Sequence, residues 1–228
     1  MLTPLRDSVR LLTAFLLRSV TLTSLAPVLA GSAIGLVIVT ITLLANVEIG
    51  LPGAALLTRL AAVAVALGVG FALDDPAART TVVVPLPALI RRTVKVLPAA
   101  FLGGAAWTAA AALSRLVLNP DERPLFPWGG LAVEAAVLAA LALALACIGL
   151  RRTDGEHGGL VAAPGLLLLV LAAVLLRDQV RLFIAPGDPS WERVHGVWGV
   201  IGALTLVVAL LLGHDRRSTI MDRCIQCR

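Results

Sequence analysis

The 228-residue chain is 59% hydrophobic and only 14% charged, a composition that excludes an ordinary soluble domain. Its net charge of +5 comes almost entirely from arginine, since Lys95 is the single lysine. Membrane topology accounts for this excess, so nucleic acid is not expected as a partner. The arginine bias resembles the coding of a GC-rich bacterial genome.

The first 22 residues are predicted to form an interfacial amphipathic helix. Thr3-Pro4 is a good helix start, with threonine as the N-cap and proline at the first helical position. An apolar stripe then runs beside Arg6 and Arg10, as in helices that lie in the headgroup layer. The alternative is an extension of the first span into the cytosol.

Residues 23–213 are predicted to form a domain of six transmembrane helices. About 20 apolar residues cross the hydrocarbon core, so four of its apolar stretches qualify outright and the last two are slightly short. Unalternating runs of this length exclude barrel strands. The stretches are approximately Leu25–Leu44, Ala54–Leu73, Val96–Val117, Leu131–Leu150, Leu160–Leu176 and Val197–Leu212.

The distribution of basic residues predicts the orientation of these helices. If the N-terminus is inside, thirteen Lys and Arg residues fall in inside segments and four in outside loops. Cytoplasmic segments collect Lys and Arg. Both termini, including the basic tail over 214–228, are therefore expected in the cytoplasm, and the protein in a bacterial cytoplasmic (inner) membrane.

The connection between the second and third spans, over 74–96, combines breaker residues with an amphipathic segment. Asp75-Pro76 is a cap-plus-proline start, and later prolines break the chain. A short helix is then predicted over approximately Pro87–Val96, with an apolar arc opposite a basic one. Such a helix either lies on anionic lipid or docks into a groove of a cytoplasmic partner. The residues assigned to partner coupling are Asp75, Pro87, Leu89, Ile90, Arg91, Arg92 and Lys95.

Three ionisable residues lie inside predicted spans and are candidates for a substrate pathway: Arg59, Arg115 and Glu134. All three are predicted in the outer third of the membrane. One interpretation is an Arg–Glu pair that bridges neighbouring helices and leaves a spare arginine facing an outward-open cavity. The other is snorkelling to the headgroups, which suits Arg115 better than Arg59.

Two further features predict close packing. The outer loop over 177–193 carries an apolar patch and is expected to dip into the outer interface, which irregular backbone can do only against protein or water. Gly31 and Gly35 form a G-x-x-x-G pair, which is typical of a close contact between two helices.

The sequence carries no catalytic signature. No phosphate-binding loop or metalloprotease motif is present, so an ATPase activity would have to belong to another subunit. His157, His195 and His214 lie in or beside predicted loops on both sides of the membrane and cannot build one site. Cys224 and Cys227 form a single C-x-x-C: two copies in a dimer could bind zinc, and the alternative is a pair of free thiols.

Six spans, cytoplasmic ends, an interfacial first helix and the proline-broken segment up to Lys95 together resemble the membrane subunit of an ABC-2-type (type V) ABC exporter. The resemblance covers the layout of nearly the whole chain. It implies a coupling helix seated in a separate ATPase subunit, which binds ATP and Mg²⁺. It also implies a second six-helix membrane subunit, identical or paralogous, and export of a substrate. Because the chain is short for that family and its loops are small, a small or lipophilic substrate is expected instead of a large polymer.

Two other functions fit the same sequence. The chain could be a non-transporting membrane scaffold or accessory subunit, with its helices used only for assembly. It could also be a membrane enzyme or thiol relay that uses Cys224 and Cys227.

Overall fold

The computed structural model describes residues 22–74, 88–153, 157–177, 179 and 181–213. Within these ranges the chain is helical, and the one β pairing is an isolated bridge between Ile49 and Leu118. The α-helices are α1 (Leu22–Leu44), α2 (Leu51–Phe71), α3 (Ala88–Leu116), α4 (Trp128–Arg152), α5 (Gly159–Leu175) and α6 (Trp191–Gly213). A 3-10 helix, Pro120–Leu125, connects α3 to α4. The interfacial helix predicted over 1–22, the tail over 214–228, Asp75 and Pro87 lie outside the described residues, except that Leu22 begins α1.

Five of these helices are long and apolar enough to cross a membrane: α1, α2, α3, α4 and α6. Helix α5 has 17 residues. At 1.5 Å per residue it is about 26 Å long, somewhat less than the ~30 Å hydrocarbon core. The prediction of a helical multi-pass membrane protein is confirmed at this level. The sixth span and the cytoplasmic position of both termini stay predictions.

Helices α2, α4 and α6 each begin three to six residues before the predicted apolar stretch. Their first turns contain glycine, proline or charged residues, such as Glu192 and Arg193 in α6, and an apolar window omits such turns. The starts of these three helices lie at the same end of the bundle, which we call the upper end. The opposite end is the lower end.

A separate short helix is predicted over approximately Pro87–Val96, but its described part, residues 88–96, is the beginning of α3. Helix α3 runs without a break for 29 residues. Pro98 lies inside α3 without ending it. Membrane helices tolerate proline where neighbouring groups satisfy the carbonyl that it frees. Because α3 is about 44 Å long, it exceeds the ~30 Å core, and its basic first turns can project beyond the bilayer.

Helix α2 lies at the centre of the bundle and packs against α1, α3, α4 and α5. Its buried face is mostly alanine and glycine, which allows neighbouring backbones to come close. A Cβ added to Gly35 of α1 would lie 3.2 Å from the Cα of Ala61, and one added to Gly31 would meet the carbonyl oxygen of Ala64. The predicted close helix contact at Gly31 and Gly35 is therefore confirmed.

Two arginines hold the lower end of α6. Arg92 of α3 donates from Nη1 to the Leu212 carbonyl at 3.1 Å. Arg151 of α4 donates to the same carbonyl from Nε at 3.1 Å and from Nη2 at 2.9 Å. The last carbonyls of a helix lack partners within the helix, and cations are favourable there. These contacts fasten α6 to the rest of the bundle.

Candidate functional site

A buried ion pair joins α2 to α4 near the upper end. Arg59 donates from Nε to Oε2 of Glu134 at 2.7 Å and from Nη2 to Oε1 at 2.8 Å. The Glu134 side chain is only 1% exposed and that of Arg59 12%. Two parallel bonds between a guanidinium and a carboxylate form the strongest geometry available to such a pair. The pair therefore fixes the rotation of both helices relative to each other.

His195 of α6 is the third member of this cluster. Its Nε2 lies 3.1 Å from Oε1 of Glu134, and its Nδ1 lies 2.8 Å from the carbonyl oxygen of Trp191. A carbonyl oxygen and a carboxylate are both acceptors, whereas a neutral imidazole has only one N–H donor. Which ring nitrogen carries the hydrogen therefore decides which of the two contacts is a hydrogen bond donated by His195. The Arg59–Glu134–His195 cluster thus links α2, α4 and α6 through polar contacts near the upper end.

Aromatic rings and one loop carbonyl enclose the Arg59 guanidinium. Its Cζ lies 5.6 Å from the centroid of the Phe183 ring and 6.0 Å from that of Trp191. Nη2 also donates to the Ile184 carbonyl at 2.9 Å. Cations are attracted to the faces of aromatic rings at such distances. Arg59 therefore lies within the protein and does not reach past it to the headgroups.

The loop after α5 packs against the helices, as the sequence required of irregular backbone at this depth. Trp198 of α6 donates from Nε1 to the Leu182 carbonyl at 2.9 Å. The Phe183 ring lies 5.4 Å from the Trp198 ring, and Ile184 is buried. Two loop carbonyls thus accept bonds from buried side chains of α2 and α6.

The structure brings together two of the three predicted pathway residues. Arg59 and Glu134 form the Arg–Glu pair that one interpretation of the sequence proposed. Arg115 does not join them: it is exposed in the last turn of α3, and its Nε donates to the Arg123 carbonyl at 3.1 Å. It lies at the helix terminus, where the chain turns into the 3-10 helix. A role of any of the three in a substrate pathway stays a prediction.

Replacing Arg115 with glutamine is expected to leave stability nearly unchanged, within about 0.5 kcal/mol, because its hydrogen bond to the Arg123 carbonyl is exposed and water can replace it. The thermal midpoint of the purified variant in detergent measures this. A loss of 2 kcal/mol or more, by the same order-of-magnitude scale, would mean that Arg115 holds the upper end together.

The sequence interpretation missed His195, which lies in the second turn of α6 and not in a loop. A signal was present: Asp188-Pro189-Ser190 is a typical helix start, which would place Trp191 and His195 four residues apart on one helix face. The structure shows both facing α4, and a Cβ on Gly130 would lie 2.6 Å from Cζ2 of Trp191 and 2.8 Å from Nε2 of His195. Gly130 therefore makes room for both rings.

A cavity of about 580 Å³ adjoins the cluster on the side between α2 and α5. Arg59 is part of its wall, so the ion pair separates this cavity from His195. The other charged wall residues are Arg177, Arg181 and Asp188, all near the upper end. The remaining lining is apolar: Leu56, Leu60, Val63, Val170, Ala173, Val174, Phe183, Ile184 and Ala185. Arg115 is not part of the wall of this cavity.

The residues assigned to partner coupling lie at the lower end where they are described. Leu89, Ile90 and Arg91 belong to the first turns of α3. Arg92 contacts α6, and Lys95 is partly buried. Among the described residues no group of His, Cys, Asp and Glu side chains is placed to hold a metal ion. The weak metal candidates Cys224 and Cys227 lie outside that part.

The helices and the buried cluster define the class of this protein, a helical multi-pass membrane protein with an ionic site between its spans. No protein-family model, curated protein or solved structure matches the chain. The resemblance to an ABC-2-type membrane subunit therefore rests on the layout of the sequence alone.

Proposed function

We propose that this chain is the transmembrane subunit of an ATP-driven exporter that moves a small or lipophilic substrate out of the cytoplasm. A separate cytoplasmic subunit hydrolyses ATP with Mg²⁺, and a second six-helix subunit, identical or paralogous, completes the membrane part. The chain itself has no enzymatic activity in this proposal.

The cavity between α2 and α5 is the observation that carries the proposal. Its walls combine apolar side chains with arginines, and it opens where Leu56, Leu60 and Val174 are exposed on the outside of the bundle. Ligand sites are commonly of this size and consist of apolar walls with a few polar groups. A substrate dissolved in the membrane could enter such a cavity sideways without crossing water.

The basic beginning of α3 supports coupling to a partner. It lies at the lower end, opposite the cavity, and it is long enough to project from the bilayer. Since α3 packs directly on α1 and α2, a push on its first turns reaches the helix that carries Arg59. Motion at the lower end could thus change the cavity at the upper end.

Charge reversal at Arg91 and Arg92 tests the coupling. With both arginines changed to glutamate, pull-downs of this chain are expected to recover about tenfold less of the ATPase subunit. A loss of ~1.4 kcal/mol of binding free energy at the interface produces a tenfold change. Stimulated ATP hydrolysis by the complex should fall in parallel. The measurements are subunit identification after detergent extraction and the ATPase rate of the recovered complex.

The matched control is Arg151→Glu with Arg152→Glu. It makes the same charge change at the same end and also removes an arginine from the Leu212 carbonyl, but on α4. The coupling proposal requires this control to retain the ATPase. Equal losses in both double variants, or no loss in either, contradict it.

One observation favours a second candidate, the non-transporting scaffold or accessory subunit. Arg92 and Arg151 both bind the end of α6, so part of the basic charge at the lower end has a structural use. If no ATPase accompanies the intact complex from its native membrane, the scaffold is the better description.

A further inference from the structure

We propose that the cavity between α2 and α5 binds an anionic phospholipid, with the phosphate at Arg177 and Arg181 and one acyl chain lying between the two helices. As a statement about substrate class, this inference rests on the proposed function. As a statement about binding, it can be tested without transport.

The charges of the described residues around the cavity favour an anionic ligand. Among the described residues of the wall and of its ion pair, three arginines, Arg59, Arg177 and Arg181, stand against the carboxylates of Glu134 and Asp188. Glu134 already neutralises Arg59 through two hydrogen bonds. The uncompensated charge is therefore at the Arg177 and Arg181 side of the cavity.

Asp188, the carboxylate in this wall, is held by Ser190. Its Oδ1 accepts hydrogen bonds from the Ser190 hydroxyl at 2.5 Å and from the Ser190 backbone nitrogen at 2.8 Å. These bonds, the hydroxyl first, lower the pKa of Asp188, and Arg181 lowers it further. Asp188 thus stays ionised beside Arg181. Arg177 is exposed and has no carboxylate partner among the described residues.

The depth of the cavity corresponds to one leaflet. Arg177 follows the end of α5 by two residues, at the level of the helix termini. Arg59 lies eight residues and Val63 twelve residues into α2, which at 1.5 Å per residue places them about 12 and 18 Å below its start. Half of a ~30 Å core is about 15 Å. Arg177 therefore lies at the headgroup level, whereas Arg59, which is paired with Glu134, and the apolar wall lie at the level of an acyl chain.

The apolar wall and the volume suit a lipid tail better than a small soluble anion. Leu60 and Val63 of α2 face Val170 and Val174 of α5 across the cavity. The volume of about 580 Å³ lies within the range of roughly 300–1,000 Å³ that is usual for small-molecule sites. A free phosphate would leave this apolar surface unused.

Native mass spectrometry of the full-length protein in detergent tests the inference by titration with phosphatidylglycerol and with phosphatidylcholine of the same chains. Phosphatidylglycerol is expected to bind at least about tenfold more tightly, because near-surface arginines favour anionic lipid. The double variant Arg177→Gln with Arg181→Gln should weaken the binding of phosphatidylglycerol about 30-fold and leave the binding of phosphatidylcholine unchanged. The control double variant, Arg152→Gln with Arg193→Gln, removes the same charge from exposed positions outside the cavity and should retain binding.

A second pair of variants tests the apolar wall with all charges kept. Ala173→Phe fills the cavity from α5 and should weaken the binding of both lipids. Ala172→Phe, at an exposed neighbour outside the lining, should leave binding unchanged.

Three results would overturn the inference. They are equal binding of the two lipids, equal losses of binding in both arginine double variants, and displacement of the lipid by glycerol phosphate. If phosphatidylglycerol binds as expected but no ATPase accompanies the protein, the proposed function fails and the lipid site stands. If an ATPase accompanies the protein but phosphatidylglycerol does not bind as expected, the lipid site is wrong and the exporter proposal stands.

Discussion

Replacing Glu134 with leucine is expected to destabilise the protein by about 3–5 kcal/mol, because the Arg59 guanidinium then remains buried without its carboxylate. Arg59→Met should cost a similar amount, since it strands the more deeply buried partner, a carboxylate that is 1% exposed. Reversible unfolding of the purified variants in detergent, followed by circular dichroism during SDS titration, measures both effects.

The double variant, Arg59→Met with Glu134→Leu, is expected to lie within about 1–2 kcal/mol of the wild type. Buried ion pairs replaced by apolar residues of similar volume are often close to neutral, whereas breaking one partner is costly. The two single costs should therefore not add. His195 keeps its contact with the Trp191 carbonyl in the double variant, so the imidazole is not left without a partner.

Glu192→Leu is the control for this cycle, because it removes an exposed carboxylate from the first turn of α6 at the same end. Its effect should stay below about 1 kcal/mol. Additive losses in the double variant would mean that Arg59 and Glu134 act independently, and the ion pair would then be incidental to the fold. An exporter variant at Arg59 must be interpreted with this cost in mind, because export and folding change together.

The spans could be predicted from the sequence because hydrocarbon leaves a continuous apolar segment few alternatives to a helix. The position of Arg59 and Glu134 near the same end of the bundle could be predicted for the same reason. The depth of a residue follows from its distance along the chain from the start of its helix, at 1.5 Å per residue. Their pairing was one of two interpretations, since depth alone does not give the rotation of a helix. Arg115 is predicted at a similar level, yet the structure places it in the last turn of α3, where it is exposed.

The part that could not be predicted follows from where helices begin and end. His195 appeared to lie beside a loop because hydropathy places the start of the sixth span at Val197, whereas the backbone becomes helical at Trp191. The beginning of α3 appeared separate because prolines precede it and its turns are basic. Hydropathy reports which residues prefer lipid, and a helix can extend past them into the interface on either side.

The contact between α1 and α2 is the second place where one substitution should have a large effect. Gly68→Val is expected to destabilise the bundle by about 3 kcal/mol, at the upper end of what overpacking usually costs. A Cβ at this position would lie 2.6 Å from the Pro27 carbonyl oxygen and 2.9 Å from the Cα of Val28. Both are backbone atoms, so no side-chain rotation relieves the clash and α1 must move away from α2.

Gly104→Val provides the matched comparison, because a Cβ on Gly104 of α3 has no atom within 4 Å. Both substitutions replace a helical glycine with the same β-branched residue, so intrinsic helix propensity changes equally and the difference measures packing. The same SDS titration should show a large loss for Gly68→Val and little for Gly104→Val. Equal effects would attribute the cost to helix propensity, and α1 would then not depend on the small residues of α2 for its position. Because α3 packs against both α1 and α2, a displacement of α1 from α2 should also disturb the contact between α1 and α3.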